Sequence, residues 1–172
     1  MSKMTTERRT QHASFTLERH YDAPLALLYG AFADEKAKSR WFGGGAEWDM
    51  QSRKFDFRVG GHESLSGKWK SGMVSSFDAY YHDIVPEQRI VYAYHMHIDG
   101  KLISVSLATL QFAVDGNGSK LTITEQGAFL DGYDDAGSRE KGTRGLLERI
   151  ADSLKDTPVR DLPTPSPKLQ RD

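Results

Sequence analysis

From residue 15 to residue 126 most apolar side chains fall at every second position, the period of a strand with one face buried. The alternating runs are 15–21, 47–51, 55–59, 63–69, 73–82, 89–98, 102–112 and 120–126. The run at 63–69 is the weakest, and the pattern predicts about seven strands. Turn chemistry separates them: Gly60-Gly61, Val85-Pro86-Glu87-Gln88, Asp99-Gly100 and Asp115-Gly116-Asn117-Gly118. Helical spacing appears after the first strand and again near the end. Asp22-Ala23-Pro24 starts a helix whose buried side carries Leu25, Leu28, Tyr29 and Phe32. Asp34 can cap a second short helix running to about Trp41, and Phe42-Gly43-Gly44-Gly45 ends it.

The last periodic segment, residues 137–154, organises the rest. Leu146, Leu147, Ile150, Ala151 and Leu154 form one apolar stripe, with Arg144, Glu148, Arg149 and Asp152 on the other side. Ser138 is the expected N-cap. Gly142 and Gly145 weaken this helix by roughly 1 kcal/mol each against Ala, so packing must hold it, and glycines let a neighbour approach. The expectation is one long helix laid across a curved antiparallel sheet, an α+β fold.

Register assigns the faces. A two-residue Asp99-Gly100 loop sets Ile98 opposite Lys101, Met96 opposite Ile103, Tyr94 opposite Val105 and Tyr92 opposite Leu107. The preceding hairpin adds Phe77 opposite Met96, Ala79 opposite Tyr94 and Tyr81 opposite Tyr92. The product is an apolar and aromatic wall on the concave side, under the helix. A slip of one residue would send it all to solvent. The same logic leaves Leu110, Phe112, Leu121 and Ile123 on the outer face, unless a bulge switches sides.

Composition narrows the function classes. The 172 residues carry a net charge of −1, with no basic footprint for nucleic acid and no basic run for a membrane surface. There is no cysteine, hence no disulfide, thiolate metal site or cysteine nucleophile. No apolar run of about 18 residues suggests a membrane span, and the polar N-terminus lacks a signal-peptide core. These features read as a cytoplasmic protein. Residues 1–13 read as a flexible N-terminus, 14–155 as the domain, and 156–172 as a proline-rich disordered tail.

Candidate chemistry is sparse. His95-x-His97 shares the outward strand face with Asp78, short of the ligand set a closed metal site needs, so no metal and no cofactor is expected. The glycines at 43–45 match no phosphate-loop pattern. No Gly-x-Ser-x-Gly and no His-Glu-x-x-His occurs. The wall is the better lead. Tyr92 and Tyr94 are polar-tipped residues among apolar neighbours, and a buried hydroxyl needs a partner. Glu125 in a strand and Arg139 at the helix start are the ionisable groups expected to look into a cavity. A carboxylate there, if unpaired, would titrate high and could serve as a general acid or base. At least one of Trp41, Trp48 and Trp69 is expected at the mouth.

The order strand, two short helices, six strands and a long terminal helix resembles the helix-grip fold of the SRPBCC superfamily. That superfamily includes the START lipid-transfer domains, the birch-pollen allergen and the polyketide cyclases. The closer resemblance is to homologues of the activator of the ninety-kilodalton heat-shock chaperone's ATPase. It is carried by Arg19-His20-Tyr21-Asp22-Ala23-Pro24, Trp41-Phe42, Arg58-Val59-Gly60-Gly61 and Asp83-Ile84-Val85-Pro86-Glu87-Gln88-Arg89-Ile90-Val91-Tyr92. Thr122-Ile123-Thr124-Glu125-Gln126 and the terminal helix complete it, over residues 14–155. Where the branch often has Gly-Trp entering the last helix, Gly142-Thr143 stands here, which enlarges or rewets that end of the cavity. No catalytic motif carries over. The resemblance implies binding of a small hydrophobic or aromatic ligand between sheet and helix. Alternatives are a cyclase or hydrolase using Glu125 with a cavity tyrosine, and a chaperone-associated or homodimeric stress-response module. Candidate lining residues are Trp41, Trp69, Phe77, Tyr81, Tyr92, Tyr94 and Met96, then Val105, Leu107, Glu125, Arg139, Thr143, Leu147 and Ile150.

Overall fold

A computed structural model describes residues 7–156. Strand β1, Thr10–Tyr21, is followed by α1, Leu25–Ala33, and α2, Glu35–Ser39. Six strands follow: β2, Trp48–Phe55; β3, His62–Trp69; β4, Val74–Val85; β5, Arg89–Ile98; β6, Lys101–Asp115; and β7, Gly118–Leu130. The chain closes with α3, Ala136–Lys155. The seven strands form one curved antiparallel sheet in the order β1-β7-β6-β5-β4-β3-β2, so the first strand returns to pair with the last. This is the α+β helix-grip arrangement. The tail at 157–172 lies outside the described residues.

Local chemistry accounts for the element ends. Asp34 Oδ1 accepts from the Ala37 N–H and opens α2. Pro24 precedes the first turn of α1 and its carbonyl accepts from Leu27 and Leu28. The cap of α3 is Asp135, not Ser138. Its carboxylate accepts both the Ser138 N–H at 2.8 Å and the Ser138 hydroxyl at 2.9 Å, starting the helix earlier. Strand β1 begins at Thr10, inside the stretch read as a flexible terminus, because residues 10–13 pair with 127–130 of β7. Residues 47–51 and 55–59 are not two strands: one strand ends at Phe55, and Val59 is exposed.

Register on β4 and β5 is as expected: Phe77 opposes Met96, Ala79 opposes Tyr94, and Tyr81 opposes Tyr92. Register on β6 is not. Ile98 opposes Lys101 and His97 opposes Leu102, but Met96 then opposes Ser104. Ile103 is the extra residue of a bulge, and every later position on β6 changes side. Tyr94 therefore faces Ser106 rather than Val105, and Tyr92 faces Ala108 rather than Leu107. Val105 and Leu107 turn outward, 41% and 39% exposed. Leu110 and Phe112 turn inward opposite Ile123 and Leu121, and all four are buried. One bulge thus corrects both faces at once.

The core lies between the inner face of the sheet and the helices, with Leu28, Ile90, Leu110, Leu121 and Ile150 fully enclosed. Leu147 and Ile150 carry α3 into it. The Tyr21 hydroxyl ties β1 to the helix by donating to the Leu147 carbonyl at 3.0 Å. Gly142 and Gly145 are not close-approach sites: a Cβ at either would meet nothing within 4 Å. The outer face carries Tyr80, Leu102, Val105 and Leu107 as exposed apolar side chains.

Candidate functional site

A cavity of about 490 Å³ lies between the sheet and α3. Phe77, Tyr92, Tyr94 and Met96 line it from β4 and β5, and Ile123 and Glu125 from β7. From α3 come Arg139, Gly142, Thr143, Gly145, Leu147 and Ile150. The end toward β2 is lined by Trp41, Phe42, Gly43, Gly44, Trp48 and Trp69. Trp48 and Trp69 there donate their indole N–H to one acceptor, Ser75 Oγ, each at 3.2 Å. Gly44 and Gly67 fit around Trp48, for a Cβ would lie 2.3 Å and 2.1 Å from its indole. Arg149 of α3 holds this end by donating to the Gly43 carbonyl at 2.5 Å.

The polar wall is built by β5, β6, β7 and α3, with Asp134 from the loop before α3. Tyr94 Oη donates to Glu125 Oε1 at 2.5 Å and accepts from Arg139 Nη1 at 2.9 Å. Arg139 Nη2 donates to Ser104 Oγ at 2.7 Å and to Asp134 Oδ2 at 2.8 Å. Ser104 reaches it only because the bulge at Ile103 turns the serines of β6 inward. Glu125 is 4% exposed, and its second oxygen, Oε2, has no hydrogen bond among the described residues. The nearest cationic atom is Arg139 Nη1 at 3.7 Å. An enclosed oxygen left so forfeits about 1–3 kcal/mol. Burial pushes the Glu125 carboxyl above its ordinary range, against the opposing pull of Tyr94 and Arg139. Burial likewise raises the Tyr94 phenol.

A second buried cluster was not foreseen. Lys38 Nζ donates to Glu63 Oε2 at 2.6 Å, Tyr81 Oη donates to the same oxygen at 2.5 Å, and Lys38 Nζ lies 3.4 Å from Tyr81 Oη. Lys38 and Glu63 are 6% and 4% exposed. Burial lowers the Lys38 ammonium's pKa while Glu63 raises it. Lys38 touches the cavity, and its ammonium sits 4.9 Å over the Phe42 ring. The signal available in sequence was phase: Glu63 shares a strand face with Leu65, so it points inward.

Of the residues expected to line a site, Trp41, Trp69, Phe77, Tyr92, Tyr94, Met96, Glu125, Arg139, Thr143, Leu147 and Ile150 are brought together on this cavity. Tyr81 is not on it; its hydroxyl is buried in the Lys38–Glu63 cluster. Val105 and Leu107 are on the opposite face, for the reason given by the bulge. His95 and His97 lie on that outer face, and Asp78 hydrogen-bonds His62 at 3.2 Å. Among the described residues no group of three or more His, Asp or Glu side chains is placed to hold a metal ion. No helix among them is long and apolar enough to cross a membrane.

The profile of the family described as Activator of Hsp90 ATPase homolog 1-like protein matches residues 22–157. No curated protein matches the chain. Among solved structures, an uncharacterised protein from Rhizobium leguminosarum is 39% identical, the match covering 88% of this chain and 100% of that one at a TM-score of 0.84. The Mll3558 protein from Rhizobium loti is 43% identical over 84% of this chain and 99% of its own, with a TM-score of 0.78. An AHSA1-like protein from Aeromonas hydrophila, at 18% identity, covers 83% of this chain and 92% of its own with a TM-score of 0.64, a likeness of fold.

Proposed function

The chain belongs to the Activator of Hsp90 ATPase homolog 1-like protein family, and on that premise we propose that it binds a small apolar or aromatic molecule between the sheet and α3. The observation that carries this reading is the cavity of about 490 Å³ with aromatic walls and one buried, partly unpaired carboxylate. Its size falls within the range of small-molecule sites, and a few convergent polar groups amid apolar surface are their usual composition. Native mass spectrometry of freshly purified protein tests it. The expected result is a retained small molecule, held more weakly or lost in a Gly142→Phe variant that crowds the rim of the cavity from α3. A ligand-free parent that also fails to take up any apolar aromatic probe would overturn the reading.

A second reading is favoured by Glu125 itself. A carboxyl with an elevated pKa, hydrogen-bonded to a phenol and with one oxygen that no hydrogen bond among the described residues engages, is equipped to move a proton on a bound molecule. Under it, Glu125→Gln would abolish turnover of a bound substrate and leave its affinity within about a factor of three, less than one neutral hydrogen bond. A partner, whether a chaperone or a second copy, would use the outer face around Tyr80, Val105 and Leu107, where apolar side chains are exposed together. Sedimentation at several concentrations, with and without a chaperone ATPase domain, tests that surface; Leu107→Glu should abolish any association seen.

A further inference from the structure

Three tyrosines stand in a row on the inner face. Tyr81 faces Tyr92 across β4 and β5, and Tyr94 follows two residues along β5. The ring centroids of Tyr81 and Tyr92 are 5.9 Å apart, and those of Tyr92 and Tyr94 5.8 Å. The outer two hydroxyls are occupied. Tyr81 serves Glu63 and Lys38, and Tyr94 serves Glu125 and Arg139. The middle one differs. Among the described residues Tyr92 Oη has no hydrogen-bond partner, yet the enclosed unpartnered side-chain atoms are Arg19 Nε and Glu125 Oε2, not Tyr92 Oη. Since Tyr92 lines the cavity, its free hydroxyl is reached from there.

We infer that the Tyr92 hydroxyl is the hydrogen-bond anchor for the cavity's occupant, and that the occupant is a neutral aromatic molecule with an acceptor oxygen, such as a ketone or ether, and not an acid. This deepens the binding function proposed above and rests on it. Flat partners surround the anchor: Phe77 stands 6.5 Å from the Tyr92 ring, and Trp41, Trp48 and Trp69 line the same space. Charge discriminates next. Burial first, then Tyr94, Glu125 and Glu63, hold the Tyr92 phenol well above its ordinary pKa. The burial that chiefly opposes a phenolate there also opposes a carboxylate or phosphate beside it. The cations do not reverse this. Of the three cations that line the cavity, Lys38 is held by Glu63, Arg139 by Asp134, Ser104 and Tyr94, and Arg149 by the Gly43 carbonyl. A phenol that stays protonated has its O–H to offer, so its partner accepts.

Equilibrium dialysis with three probes of one shape tests the inference: 2-acetylnaphthalene, 2-ethylnaphthalene and 2-naphthoate. The parent should bind the ketone roughly threefold to tenfold more tightly than the hydrocarbon, the worth of one neutral hydrogen bond. Naphthoate should bind weakest. Tyr92→Phe keeps the ring and should erase the ketone's advantage while leaving the hydrocarbon's Kd unchanged. Equal ketone and hydrocarbon binding in the parent, a preference that survives Tyr92→Phe, or naphthoate binding tightest would each overturn the anchor and leave the cavity reading standing. Failure of all three probes to bind would overturn the cavity reading and the anchor with it.

Discussion

Gly145 sits in the middle of α3, exposed at the rim of the cavity, and a Cβ built there would meet nothing within 4 Å. Replacement by alanine therefore brings no clash. It removes the backbone freedom glycine gives the unfolded chain and gains the helix preference of alanine, about 0.8–1.0 kcal/mol. For a domain of this size that corresponds to a rise of roughly 2–4 °C in Tm. Gly142→Ala should do the same, and the two should nearly add, since neither side chain touches a shared partner. Gly67→Ala is the control of opposite sign, because its Cβ would lie 2.1 Å from the Trp48 indole. Thermal unfolding followed by circular dichroism measures the parent, the three single variants and the double variant. A fall in Tm for Gly145→Ala would refute the reasoning, for it would mean that this face of α3 is packed and that the space beneath it is not a cavity. Gly145→Leu extends the test: Tm should stay at or above the parent's while affinity for an apolar probe falls.

Lys38→Met should destabilise by about 3–5 kcal/mol in denaturant titration, because it strands Glu63 as a buried unpaired charge, and adding Glu63→Gln should recover part of that loss. Glu125 titrates above its ordinary value of 4.5 when folded, so the stability it contributes is full below that value and is lost as pH rises through the folded one. Consequently the stability of Glu125→Gln relative to the parent should increase from pH 4 toward neutrality; a flat difference would contradict the burial argument. Tyr21→Phe removes one buried bond to the Leu147 carbonyl and should reduce stability by about 1 kcal/mol in urea titration.

The seven-strand sheet, the helix across it and the Phe77–Tyr92–Tyr94–Met96 wall were legible because the apolar and aromatic side chains of β4 and β5 themselves alternate in step, with regular pairing between residues 75 and 81, although a bulge at His82 separates that stretch from the turn. Glu125 was legible only as an ionisable group within a strand, for the register drawn from the turns set Leu121 and Ile123, with which it keeps step, on the outer face; the bulge in β6 brings all three inward. The faces of β6 were not. In Ile103-Ser104-Val105-Ser106-Leu107 the alternation is perfect, and burial preference alone puts the aliphatic set inside. Ser104 and Ser106 take the inner face because they are in phase with Ala108, Leu110 and Phe112, which are buried, and because Arg139 on α3 hydrogen-bonds Ser104 at 2.7 Å and lies 3.5 Å from Ser106 Oγ, contacts between segments about 35 residues apart. The Lys38–Glu63 pair was hidden for the same reason: nothing near Lys38 in the chain announces the acid that neutralises it.

The bulge at Ile103 acts on side-chain direction as an inserted nucleotide acts on a reading frame. Everything from Ser104 to the end of β6 is read on the face opposite to the one its spacing from Asp99-Gly100 dictates. The pairing of Ser104 with Met96, not length, is then the protected quantity of this strand. Removing Ile103 alone would leave Ser104 opposite Met96 in unbroken pairing, so that Ser106, Ala108, Leu110 and Phe112 keep the inner face. Removing Ile103 together with Ser104 would instead set Val105 opposite Met96, bring Leu107 to the cavity and take away the serine that holds Arg139. This strand should therefore tolerate loss of its one extra residue where loss of two unfolds it.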